Sequence, residues 1–166
     1  MQQQDTRSPG EKPAYVTGLE QAYGPPSQEG FGAAVFFEVA DESDDLAALA
    51  LKVYRHFTGE LWERWGEAAW MTPWKEVYTR KKGTNRDVAS EVRGIDDPDA
   101  SISVPLVLET MADPESAVKA LSIAYDAPDV ADFRVFTIGD GNAMSGLLLA
   151  GRRENGEATF LTVLMD

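Results

Sequence analysis

The sequence predicts a single α+β domain over residues 31–166, with a largely antiparallel sheet that ends in a C-terminal three-stranded meander and helices packed on one face. Three observations carry this. Residues Phe133 to Met165 read as three apolar runs separated by Gly139-Asp140-Gly141-Asn142 and by Glu154-Asn155-Gly156-Glu157. Leu46, Leu49, Val53, Phe57, Leu61 and Trp65 recur at spacings of three and four, the stripe of one long helix. Strand-like and helix-like stretches are segregated rather than strictly alternating, which favours antiparallel pairing. At 166 residues and 43% hydrophobic composition, the chain suffices for one core.

Residues 1–30 are rich in Gln, Pro, Gly and Ser and have little to bury, so an extended or disordered segment is expected. Only Tyr15, Val16, Leu19 and Tyr23 could dock it on a neighbour. Val35-Phe36-Phe37-Glu38-Val39 favours a strand. Ser43, with Asp44 and Asp45 after it, has the pattern of an N-cap and an acidic first turn. The helix it starts is weakened at Gly59 and stopped at Gly66. Glu67 to Tyr78 continues in helical style with a break at Pro73, and Lys81-Lys82-Gly83 closes it. Val88, Ser90, Val92 and Ile95 then suggest one strand and Ile102, Val104, Leu106 and Leu108 a second, joined by a turn at Asp96-Asp97-Pro98-Asp99. Pro105 places that second strand at an edge or a bulge. Asp113-Pro114-Glu115 has the cap, N1-proline and early acid of a helix start, with Ala117, Val118, Leu121 and Tyr125 as its stripe. Asn155-Gly156 predicts a type I′ hairpin turn in the meander.

Composition narrows function more than any motif does. A formal net charge of -13 disfavours nucleic acid and anionic membranes as partners. The absence of cysteine removes thiol chemistry and disulfides, and with no apolar leader at the N-terminus the expected compartment is cytoplasmic. His56 is the only histidine and lies mid-helix, too isolated for a histidine-based metal site or a catalytic triad. The acidic runs at Asp41–Asp45 and Asp96–Asp99 lack calcium-loop spacing and are read as a cap and a turn. No metal, cofactor or catalytic residue is therefore expected.

Two stretches remain suggestive. Trp62, Trp65, Trp70 and Trp74 crowd more aromatic area into one region than a single helix stripe buries. The surrounding segment from Lys52 to Arg93 holds nine basic residues against six acidic ones in an otherwise acidic chain. A partner-binding surface of Trp62, Trp70, Trp74, Tyr78, Arg80, Lys81 and Lys82 is the resulting expectation. The protein is then a noncatalytic interaction or regulatory module: an adaptor, a chaperone-like protein or a toxin-neutralising partner, with homodimerisation through the same surface. The Gly139–Gly146 turn supports the alternative, an enzyme or ligand-binding domain with Asp140, Asn142 and Ser145 at a pocket rim and glycine-freed amides available as an anion nest.

Overall fold

The computed structural model describes residues 12–41 and 43–165. Five strands, β1 (Gly32–Val39), β2 (Lys75–Thr79), β3 (Val130–Gly139), β4 (Ser145–Arg153) and β5 (Glu157–Met165), form one antiparallel sheet in the spatial order β1-β5-β4-β3-β2. The helices among the described residues are α1 (Ala14–Ala22), α2 (Leu46–Thr58), α3 (Glu60–Trp65), α4 (Glu67–Met71), α5 (Val88–Arg93), α6 (Pro98–Leu108) and α7 (Pro114–Tyr125). The α+β class and the β3-β4-β5 meander are as the sequence predicts. None of these helices is long and apolar enough to cross a membrane.

Helices cover both faces of the sheet, where the sequence reading expected one. Val135, Leu147, Leu149, Leu161 and Val163 point to a layer made by α1, α5, α6 and α7. Phe136, Ile138, Leu148, Ala150, Phe160 and Leu164 point to the opposite layer, made by α2, α3 and α4. The physical reason is written in β4 and β5. Leu147 to Ala150 are apolar at four consecutive positions and fully buried, and a strand that is apolar on both of its faces needs a cover on both.

The expected hairpin over residues 88–108 is a pair of helices. Asp87 accepts from the Ser90 amide at 3.3 Å and caps α5, and Asp97 accepts from the Ala100 amide at 3.0 Å and caps α6 with Pro98 at its start. This is the same device as Asp113 with Pro114 at α7, where the cap receives the Ser116 amide at 3.3 Å. The alternation of Ile102 to Leu108 was coincidental. Ala100, Ser103, Val107 and Leu108, at helical spacing, are the buried positions, while Ile102 is 71% exposed. Pro105 lies inside α6 on its exposed side.

Four further expectations are corrected. Within the segment expected to be extended or disordered, residues 14–22 form α1, because Val16 and Leu19 become fully buried against the sheet and α7; residues 1–11 lie outside the described part. Asp45, not Ser43, precedes the first turn of α2, and its side chain makes no cap bond. Tyr78 is on β2 rather than on a helix, because Pro73 ends the helical run and Val77-Tyr78 favours a strand; Lys81-Lys82-Gly83 therefore follows a strand. The hairpin at Gly156 is present, but no described non-glycine residue has positive φ, so it is not type I′. The Gly156 amide donates to the Arg153 carbonyl at 2.9 Å, and Gly156 alone takes φ of 93°, which makes a three-residue loop with a left-handed glycine.

Candidate functional site

The aromatic region is built by two glycine breaks. Gly59 (φ 56°) and Gly66 (φ 92°) divide the expected long helix into α2, α3 and α4, which fold the tryptophans back on one another instead of along one stripe. A Cβ at Gly59 would lie 2.5 Å from the Gln28 carbonyl oxygen, so only glycine fits this corner. Trp70 is stacked between Trp65 (5.5 Å between ring centroids) and Trp62 (6.5 Å). Its Nε1 donates to the Leu61 carbonyl at 2.9 Å. Trp74 is stacked between Tyr54 (5.4 Å) and Phe136 (4.7 Å) and is half-buried. Tyr54 joins this cluster to the sheet, because its hydroxyl accepts from the Gly139 amide at 3.0 Å and lies 2.7 Å from the carbonyl oxygens of both Gly139 and Trp70. One proton serves one of those two carbonyls at a time.

This geometry buries part of the expected partner surface. Trp62 (3% exposed) and Trp70 (0%) are core residues, and the exposed tryptophan is Trp65 (46%), which the periodicity placed on the buried stripe. The Tyr78 hydroxyl donates to Glu91 at 2.5 Å. The Arg80 guanidinium is buried, reaching both Glu91 oxygens at 2.6 and 2.8 Å, Asp126 at 2.9 Å and the Tyr125 carbonyl at 2.6 Å, with Phe133 beneath it. Burial alone would raise the Glu91 carboxyl, but the hydrogen bonds from Arg80 and Tyr78 outweigh it and hold the group below its ordinary range. Burial, reinforced by Glu91, pushes the Tyr78 hydroxyl up to about 12. Arg80 thus ties the end of β2 to α5 and to the C-terminal end of α7. Of the basic residues expected at the surface, Lys81 and Lys82 are exposed.

The Gly139–Gly146 turn is also rearranged relative to expectation. Asp140 is buried and folded inward, and its Oδ1 accepts from the amides of Asn142 (2.8 Å) and Met144 (2.9 Å). The loop's own carboxylate fills the expected anion nest. Asn142 and Ser145 instead line a cavity of about 380 Å³ between this turn, the start of α6 and the residues that follow α4. His56 is exposed on α2, with its Nδ1 3.2 Å from Gln28 Nε2. The lowered carboxyls of Asp87, Asp97 and Asp113 are explained first by hydrogen bonds: from Ser90 at Asp87, from Lys75 and the Ala100 amide at Asp97, and from Ser116 at Asp113. No group of three or more metal-ligating side chains is gathered among the described residues.

A feature with no counterpart in the sequence reading is the groove between α1 and α7. It has a volume of about 510 Å³, a floor of Ala14, Gly18, Ala22 and Ala120, and Ile123 at its wall. Ile123 is 54% exposed. The two helices are held by Tyr15, whose hydroxyl donates to Glu157 at 2.8 Å and whose ring carries the Arg153 guanidinium at 3.7 Å. Arg153 also donates to the Ile123 and Ala124 carbonyls at the end of α7. The signal that could have revealed the groove is Ala14, Gly18 and Ala22 at intervals of four, but it becomes meaningful only once residues 14–22 are known to be helical. A second depression, of about 680 Å³ at the Gly59 corner, is walled mainly by charged side chains: Glu29, Glu60 and Glu63 against Arg55 and Arg64.

Comparison of the chain with family models, with curated proteins and with solved structures finds no match.

Proposed function

We propose that this chain is a noncatalytic interaction module of the cytoplasm that receives a partner helix in the α1–α7 groove. The observation that carries the reading is Gly18. A glycine inside a helix costs about 1 kcal/mol relative to alanine. At Gly18 nothing requires glycine: φ is not positive, and a Cβ would meet no atom within 4 Å. The missing side chain leaves the floor of the groove open beside the exposed Ile123. Small residues let two backbones approach closely, and an apolar groove between helices is the usual receptor for an amphipathic helix.

Charge selects the partner. The chain carries -13 overall, and α1, α7 and the turn before α7 hold Glu20, Glu109, Asp113 and Glu115 against Lys119, with Lys12 just before α1 paired to Glu20. A helix with an apolar ridge and cationic flanks complements that rim, whereas two copies of this chain repel. The occupant is therefore a basic partner protein in preference to the homodimer expected from sequence.

Gly18→Leu starts from a Cβ position that meets no atom within 4 Å, fills the groove from its floor and separates binding from folding. Two amphipathic helical peptides, one of Leu and Lys and one of Leu and Glu, serve as probes in a fluorescence titration. The Leu/Lys peptide is expected to bind the wild type and to lose at least about tenfold, roughly 1.4 kcal/mol, in Gly18→Leu at an unchanged or higher melting temperature. Equal binding of the Leu/Lys peptide by wild type and Gly18→Leu, or a concentration-dependent dimer in sedimentation that Gly18→Leu abolishes, overturns the assignment of the partner.

A further inference from the structure

We infer that the cavity beside the Gly139–Gly146 turn is a binding site for a small uncharged molecule with an apolar body and an amide or hydroxyl group. Its volume of about 380 Å³ lies within the span of small-molecule pockets, roughly 300–1,000 Å³. Ile102, Ile138, Met144 and Pro73 supply apolar walls. Ile102 is 71% exposed, an apolar side chain left for a ligand to cover.

The polar groups of the cavity divide into spent and available. Thr72 Oγ1 donates to the Ala68 carbonyl at 2.7 Å and Thr137 Oγ1 to the Pro73 carbonyl at 2.5 Å. The side chains of Asn142 and Ser145 have no hydrogen-bond partner among the described residues, and both line the cavity. Together they offer donors and acceptors, the pattern that fits an amide or a hydroxyl.

The charges around the cavity exclude an anion. The amides that could have held one are occupied by the Asp140 carboxylate, and Asp99, on the wall, is bound to Lys75 at 3.1 Å. The lining itself holds one carboxylate, Asp99, and no cationic side chain to receive an anion. The rim is also fixed before a ligand arrives. Asp140 ties the turn to itself, and Tyr54 ties Gly139 to the aromatic layer. A preformed rim lowers the ordering cost of binding.

The test uses the full chain and two isosteric probes, benzamide and benzoate, titrated while the methyl signals of Ile102 and Met144 are followed by NMR. Benzamide is expected to shift both signals saturably with a Kd of about 1 mM or tighter, and benzoate to bind at least about tenfold more weakly. Asn142→Ala, an exposed loop substitution, is expected to weaken benzamide about fivefold or more while leaving the remainder of the spectrum in place. Absence of saturable shifts, equal binding of benzoate, or benzamide binding indifferent to Asn142→Ala would each overturn the site.

Discussion

The two faces of the sheet solve the same burial problem with different materials. Under α2, α3 and α4 the filling is aromatic: Tyr54, Trp62, Trp70, Trp74 and Phe136 stacked or set edge to face. Under α1, α5, α6 and α7 it is mostly aliphatic, with Tyr125 and Phe133 as its fully buried rings, and it is closed at one side by the buried Arg80-Glu91-Asp126 cluster. Large flat rings fill space to the surface and leave Trp65 as a lid on the stack, whereas the alanines of α1 and α7 and the single Gly18 leave an open groove. The crowding of tryptophan therefore marks densely stacked rings, and the α1–α7 groove lies where side chains are small.

The largest expected effect tests the aromatic layer. Trp70→Ala removes the middle ring of a three-tryptophan stack and the Nε1 bond to Leu61, and should destabilise the fold by about 4 kcal/mol in urea unfolding. A loss below about 1 kcal/mol would mean that the stack is a surface feature. On the opposite face, Arg80→Met leaves the buried carboxylates of Glu91 and Asp126 without their cation and should cost about 3 kcal/mol at neutral pH. The sign with pH follows from Glu91. Its folded pKa lies below the ordinary 4.5, so its contribution is complete above that value and is lost as pH falls through the folded one. The stability gap between wild type and Arg80→Met should accordingly narrow below about pH 4.5, and a gap independent of pH would remove Glu91 from the account. The smallest effect has the opposite sign. The hydroxyl of Ser103, on the buried side of α6, has no partner among the described residues, so Ser103→Ala should raise stability by about 1 kcal/mol, readable as a higher urea midpoint at an unchanged slope.

What could be read from the sequence followed the strength of local signals. β1, α7 and the meander were legible because β-branched and aromatic runs, an Asp-Pro-Glu start and an Asn-Gly turn each act within a few residues. The helices α5 and α6 were missed although Asp97-Pro98-Asp99 repeats the chemistry of Asp113-Pro114-Glu115; the alternating apolar residues after it outweighed the cap. The burial of Trp62 and Trp70 was not legible for a tertiary reason. Gly59 and Gly66 were recognised as breaks, but the direction in which they turn the chain, and hence the burial of Trp62 and Trp70, is set by φ values no local pattern specifies. At the glycine-rich turn Asn142 and Ser145 line a cavity while Asp140 folds inward, because a short carboxylate beside glycine-freed amides binds its own loop first.

The position of β5 has a consequence for how the protein is made. It follows every other element in the chain yet lies between β1 and β4, pairing along its length with both. On the ribosome, β1 emerges early and has no strand to join until β5 has cleared the exit tunnel. At roughly 5–20 residues per second, the apolar Val35 and Phe36 wait for several seconds without their sheet neighbours. β1 thus pairs only with a strand distant in sequence, the kind of contact that slows folding, and it stays an unpaired strand for chaperones to cover until β5 has been made.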